Sequence, residues 1–157
     1  MAHARKANYN IFLSYDSKNQ KVIQLHDFLK SEGLTVWFDR ERMLIGNIND
    51  LLCDGVANSD LFICCLTENY RTRENCKQEL NLAQSYRKKI LTVFFDEENM
   101  SYNDILKKYE EIAYAFAGKI IYKINDLNKL KNAIFSILAD LVSITIIIII
   151  SCLNREF

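Results

Sequence analysis

The 157-residue chain contains no proline at all and only two histidines. With no proline- or serine-rich stretch there is no candidate linker, and the length suits one domain with a single sizeable core. Glycine is scarce too, at 4 residues. Neither GxGxxG nor GxxxxGK follows the first apolar run, which removes a dinucleotide cradle and a P-loop. Net charge is also missing, with 20 Lys plus Arg against 20 Asp plus Glu. Binding to a phosphate backbone draws on a cationic excess, so nucleic acid is not an expected partner. The opening MAHARKANYN holds no apolar run, so no secretory signal is read there. The five cysteines (Cys53, Cys64, Cys65, Cys76 and Cys152) include no CxxC pair. That argues against a zinc site or a disulfide framework and for reduced thiols in a cytoplasmic protein.

Other catalytic signatures are absent. There is no GxSxG elbow for nucleophilic hydrolysis. His3 lies in the N-terminal tail, and His26 falls on an apolar helical stripe where a packed structural role is expected. A phospho-accepting receiver would want an aspartate ending its third strand, but that run ends in Cys65, Leu66 and Thr67.

What is present is alternation. YNIFLSY (9–15), LTVWFD (34–39), DLFICCLT (60–67), ILTVFFD (90–96) and KIIYKI (119–124) predict five strands rich in β-branched and aromatic residues. The third and fourth are almost continuously apolar, as strands buried on both faces of a parallel sheet are. Between them run stretches of helical period. Val22, Leu25, His26 and Leu29 form one stripe closed by Gly33; Ile48, Leu51, Leu52 and Val56 form a second. Cys76, Leu80 and Ala83 form a third, with Asn75 as its expected cap and Gln78 completing a capping-box-like pair. Residues 102–116 predict one helix, and a stripe from Leu127 to Leu141 predicts the last. The expectation is an α/β fold, a five-stranded parallel sheet, doubly wound. Ligands of such folds sit beyond the carboxyl ends of the strands. Those ends carry Tyr15 and Asp16, then Asp39, Arg40 and Glu41, then Thr67 and Glu68, then Asp96.

Two segments keep alternatives open. In RENCKQEL (73–80), Glu79 lies at a helix start. An acid in the first turn gains ~0.3–1 kcal/mol from the helix dipole, so a surface charge is one reading and a residue aimed at substrate is the other. The segment LVSITIIIIISCL (141–153) is uncharged over 13 residues, short of the ~20 that span a bilayer. Residues 141–157 are read either as a membrane-attaching tail or as the last helix running on beyond a domain at 8–140.

Several stretches in order resemble the Toll/interleukin-1 receptor (TIR) domain family. YNIFLSYDSKNQKVIQLHDFLKSEGLTVWFDRERMLIGN is similar to the family's opening, with Phe12-Leu13-Ser14-Tyr15 as its first box and Trp37-Phe38-Asp39 through Gly46 as its second. GVANSDLFICCLTENY resembles its third strand and NCKQEL its Cys-x-x-Glu helix start; the likeness covers roughly 8–138. It implies the flavodoxin-like TIR fold and either of two functions. One is self-association followed by hydrolysis of NAD⁺, and the other is a non-catalytic adaptor acting through homotypic TIR–TIR contacts in signal transduction. For the first, the resemblance makes Glu79 catalytic and groups Tyr15, Asp16, Trp37, Asp39, Gly46, Ile48, Asn75 and Cys76 around the substrate. NAD⁺ then enters as substrate, and no cofactor or metal is implied. For both, the loop Arg40, Glu41, Arg42, Met43, Leu44, Ile45 is the expected assembly surface, with Leu44 and Ile45 as an apolar tip among charges. Where many members carry a serine and an aromatic before the cysteine, this chain has Arg73 and Asn75; where many carry a proline before the loop glycine, it has Ile45.

Overall fold

The computed structural model describes residues 9–38, 48–96 and 99–155. Asp39 through Gly46, including the expected assembly loop, and the Ile48 side chain lie outside the described residues. Five strands, β1 (Tyr9–Ser14), β2 (Val36–Trp37), β3 (Ser59–Leu66), β4 (Lys89–Phe94) and β5 (Ile121–Lys123), form one sheet. Every pairing is parallel, and the order is β2-β1-β3-β4-β5. The winding reverses between β1 and β3, so a crevice opens there at the carboxyl ends.

Helices cover both faces. α1 (Val22–Ser31) and α6 (Leu127–Leu153) pack Val22, Leu25, Leu29, Leu130 and Ile134 on Ile11, Leu13, Leu61, Ile63 and Val93. α2 (Ile48–Ala57), α3 (Glu68–Thr72), α4 (Glu74–Ser85) and α5 (Tyr102–Lys108) cover the other face, around Phe12, Phe62, Cys64, Leu66 and Phe94. β3 is buried at seven of its eight positions, matching its unbroken apolar run.

α1 ends as its glycine predicts. Gly33 takes φ +81 and donates to Lys30 O at 3.0 Å while Leu34 donates to Leu29 O at 3.2 Å, a Schellman end. Gly55 is required for a different reason. A Cβ there would lie 2.6 Å from the Trp37 ring, closer than packing permits. His26 is the packed histidine expected: it is 6% exposed and stacks on Phe38 at 4.3 Å between ring centroids.

Two expectations are corrected. Asn75 does not cap α4, because the helix already begins at Glu74 and its N-cap is Arg73, which makes no side-chain capping bond. Residues 102–116 are not one helix: α5 stops at Lys108 and a 3₁₀ helix follows over Glu110–Ala115. The break falls at Tyr109, which is fully buried and donates its hydroxyl to Asp96 Oδ2 at 2.6 Å; holding the ring there takes its backbone out of the helix, to φ −114 and ψ 34. Of the two readings left open for the last segment, α6 follows the one in which the helix runs on, continuing without interruption from Leu127 to Leu153.

Candidate active site

β1 alternates its side chains between the two faces of the sheet, and this separates two neighbours. Phe12 and Ser14 face α4, whereas Leu13 and Tyr15 face α1. Ser14 is a fully buried polar residue at the end of an apolar strand, which requires hydrogen-bond partners. It donates from Oγ to Glu79 Oε2 at 2.5 Å, and its oxygen lies 2.7 Å from the Tyr70 hydroxyl. With the serine proton committed to the carboxylate, Tyr70 is the donor to Ser14, giving a chain Tyr70 → Ser14 → Glu79. The same phenol lies 3.4 Å from Cys76 O, tying α3 to the start of α4.

Glu79 sits on the buried face of α4 with Cys76, Leu80 and Ala83, and is 9% exposed. The thiols around it are neutral. Burial pushes Cys64 up to about 12, and burial followed by the Glu79 charge raises Cys76 further still. Burial likewise raises Tyr70 well above the ordinary phenol range. A thiol held protonated is a poor nucleophile, so Cys76 acts as a packed wall.

Asp16, two residues past Ser14, is 2% exposed, and Arg73 Nε approaches its Oδ1 at 3.1 Å. Among the described residues neither carboxylate oxygen receives a hydrogen bond. Asp16 lines a cleft of about 390 Å³ at the ends of β1, β3 and β4, together with Asn19, Lys21, Thr67, Glu68 and Asp96. The amide nitrogen of Asn19 is also buried there, without an acceptor among the described residues. No three His, Cys, Asp or Glu side chains gather to hold a metal among the described residues.

The structure therefore gathers Glu79, Cys76 and Asp16, and adds three residues given no role from sequence: Ser14, Tyr70 and Arg73. Ser14 and Tyr70 both stand in the quoted stretches. Ser14 lies 65 residues from Glu79 and 56 from Tyr70, so no local pattern reveals the three as partners. Two expected substrate residues fall elsewhere. Tyr15 stacks on Phe38 at 5.0 Å on the opposite face from Glu79. Trp37 is 3% exposed, stacked on Phe12 at 4.5 Å and pressed against Gly55, so it is a core residue rather than a stacking surface for a nucleotide. Asn75 is exposed in the first turn of α4. Asp39 and Gly46 lie outside the described residues.

A family model described as the TIR domain matches residues 11–123. The chain belongs to the TIR family. Its TIR domain is 25% identical over 117 residues to TMV resistance protein N of Nicotiana glutinosa, covering 69% of this chain. It is 26% identical over 98 residues, 60% of this chain, to a protein of Methanobrevibacter olleyae named probable 2′ cyclic ADP-D-ribose synthase TcpO. The matches span only 10% and 27% of those two relatives. Among solved structures, the TIR domains of the activated Roq1 resistosome, which directly recognises the pathogen effector XopQ, superpose with a TM-score of 0.59 at 18% identity. That superposition covers 85% of this chain and 99% of the other, and confirms the TIR fold.

Proposed function

We propose that this TIR domain self-associates and cleaves NAD⁺ at the bond between nicotinamide and ribose, with Glu79 as the catalytic residue. The observation that carries the reading is a carboxylate drawn inside the domain at the carboxyl end of β1 and gripped there by Ser14. Burying a charge costs folding free energy, and a preorganised charge at a sheet's ligand-binding end is the kind of group that stabilises charge developing in a transition state. As the C1′–N bond breaks, its electron pair leaves with nicotinamide, which goes from pyridinium to neutral without needing a proton. The ribosyl centre left behind is oxocarbenium-like, and Glu79 offsets that charge as carboxylates do in glycosidases. Water then adds at C1′ and releases a proton, giving ADP-ribose; an internal hydroxyl adding instead gives a cyclised product, the class named for the Methanobrevibacter relative. Asp16, beside Arg73 and with neither oxygen receiving a hydrogen bond among the described residues, is suited to accept hydrogen bonds from substrate hydroxyls.

One observation favours a second reading, the adaptor that docks other TIR domains without chemistry. Glu79 is nine-tenths buried and one of its oxygens is already occupied by Ser14, as in a structural hydrogen bond. Nicotinamide release from NAD⁺ by the concentrated protein separates the two. Release that Glu79→Gln abolishes supports the enzyme; no release by the folded, self-associated protein supports the adaptor. Arg40 to Ile45 are the proposed contacts for self-association. Leu44→Asp with Ile45→Asp is expected to abolish concentration-dependent oligomers in light scattering.

A further inference from the structure

α6 changes character along its length. Leu130 and Ile134 are fully buried on the sheet, and Ile137 and Leu138 are packed at its edge. Beyond them the helix leaves the domain: Val142, Ile144, Ile146 to Ile150 and Leu153 are each more than half exposed. In its most apolar stretch, long and apolar enough by length and composition to cross a membrane, only 6% of residues are buried. A helix that docked on one partner would keep a polar face. This one has none from Leu141 to Leu153, and its two upstream hydroxyls do without water. Ser143 Oγ donates to Ala139 O at 3.1 Å and Thr145 Oγ1 to Leu141 O at 3.0 Å. Polar side chains satisfied on their own helix are what a hydrocarbon environment demands.

The exit point carries the second observation. α6 leaves at the amino end of the sheet, beside the first residues of β4 and the approach to β5. There a cleft of about 1050 Å³ runs between the helix and a cluster of cations, Arg87, Lys88, Lys89 and Lys119. Lys88 is engaged structurally: it donates to Ala57 O and Ser59 O, at 2.9 and 2.7 Å, and burial lowers its pKa. Arg87, Lys89 and Lys119 are exposed, Lys119 Nζ donating one bond to Ala115 O at 2.8 Å and keeping its other protons for a ligand, with Asp140 as the anion on the helix side of the cleft. Arg87 occupies the Schellman position at the end of α4, with φ +54, donating to Gln84 O while Lys88 donates to Ala83 O. α1 fills the equivalent position with Gly33. A cation thus stands where glycine fits with less strain.

We propose that this face is a membrane-docking site, in which residues 141–153 enter the bilayer and Arg87, Lys89 and Lys119 bind anionic phospholipid headgroups in the cleft at the helix base, where Asp140 also stays. At ~1.5 Å per residue the inserted stretch measures about 20 Å, enough to cross one leaflet of a ~30 Å hydrocarbon core and pass its midplane. Cations beside an inserting apolar helix complement the negative surface of such a leaflet.

The full chain, reconstituted by detergent removal with phosphatidylcholine vesicles with and without phosphatidylserine, tests this by flotation. Wild type is expected to float with both and to bind the anionic vesicles more tightly, with the excess lost at high salt. Arg87→Glu with Lys119→Glu should cut binding to anionic vesicles by more than the roughly 25-fold that losing two cations gives at about fivefold each, and leave binding to neutral vesicles unchanged. If those variants melt early, Arg87→Gly, which suits the left-handed backbone, with Lys119→Gln carries the same comparison. Ile147→Asp with Ile148→Asp should abolish flotation with both. Equal binding to neutral and anionic vesicles overturns the headgroup site. A chain that stays off both vesicles as a dimer cross-linked through Cys152 overturns the membrane itself and assigns α6 to a second copy.

Discussion

α4 and α6 lie on opposite faces of one sheet, and each departs from the usual partition of side chains in its own direction. α4 is mostly polar, yet it draws a carboxylate inside; Glu79 shares its buried face with Leu80 and Ala83. α6 is mostly apolar, yet from Ile146 to Ile150 its side chains are between 51% and 62% exposed. A buried charge and an exposed apolar run both work against folding. Positions where local choices oppose the fold are those held for another purpose, and here they fall at opposite ends of the sheet. The polar departure is at the carboxyl end, where α/β folds take ligands, and the apolar one is where a helix leaves the domain.

The sharpest way to break this contrast is Glu79→Gln. Glutamine keeps an oxygen to accept from Ser14, so the melting temperature is expected to stay close to wild type. NAD⁺ cleavage is expected to fall by ~10²–10³, which is roughly 3–4 kcal/mol of barrier. Cleavage within a few-fold of wild type would return Glu79 to structure. On the same helix, Leu80→Ala removes a fully buried side chain and should cost ~2–5 kcal/mol in denaturant unfolding.

The α4 face also predicts an alkaline weakness. Burial raises the thiols of Cys64 and Cys76 and the phenols of Tyr70 and Tyr109. The folded state therefore keeps protons that the unfolded chain releases. Stability is fully present below the ordinary thiol range of about 8.5 and declines as pH climbs beyond it. Thermal melts taken from about pH 8 to about pH 11 should fall steadily, and a flat profile would refute the buried-thiol account. The smallest effect is on the other face. Ile148→Ala, at a position 57% exposed, should change the stability of the detergent-solubilised chain by less than ~0.5 kcal/mol.

Most of the fold was legible in the sequence because its signals are local. Unbroken apolar runs mark β3 and β4, and the i, i+3, i+4 stripe of α1 with Gly33 behind it marks a helix and its end. Misreadings came where a distant contact decides a local conformation. Tyr109 leaves the helix to reach Asp96, and Arg73, which is extended beside Asp16, begins α4 two residues before the expected cap. Of the candidate site, Glu79 and Cys76 were singled out through the resemblance, since spacing alone leaves Glu79 a helix-start charge. Ser14 and Tyr70 were not, because serine at a strand end and tyrosine within a short helix acquire meaning only when β1, α3 and α4 come together. Trp37, which the resemblance groups around the substrate, is core because its ring is held between Phe12 and Gly55.

The unbroken course of α6 has a mechanical consequence. From Leu127 to Leu153 it contains neither glycine nor proline, and its first turns are keyed into the sheet by Leu130 and Ile134. Such a rod has no hinge, so whatever grips its far end also sets the heading of the domain. Copies gripped on one surface would share one heading, with the cluster around Glu79 on the side turned away from that surface, about 20 Å off at ~3.3 Å per strand residue. Confined to two dimensions and already aligned, they would meet at a raised effective concentration with much of the rotational search removed. Orientation is then supplied by a helix that lies far from the site it orients.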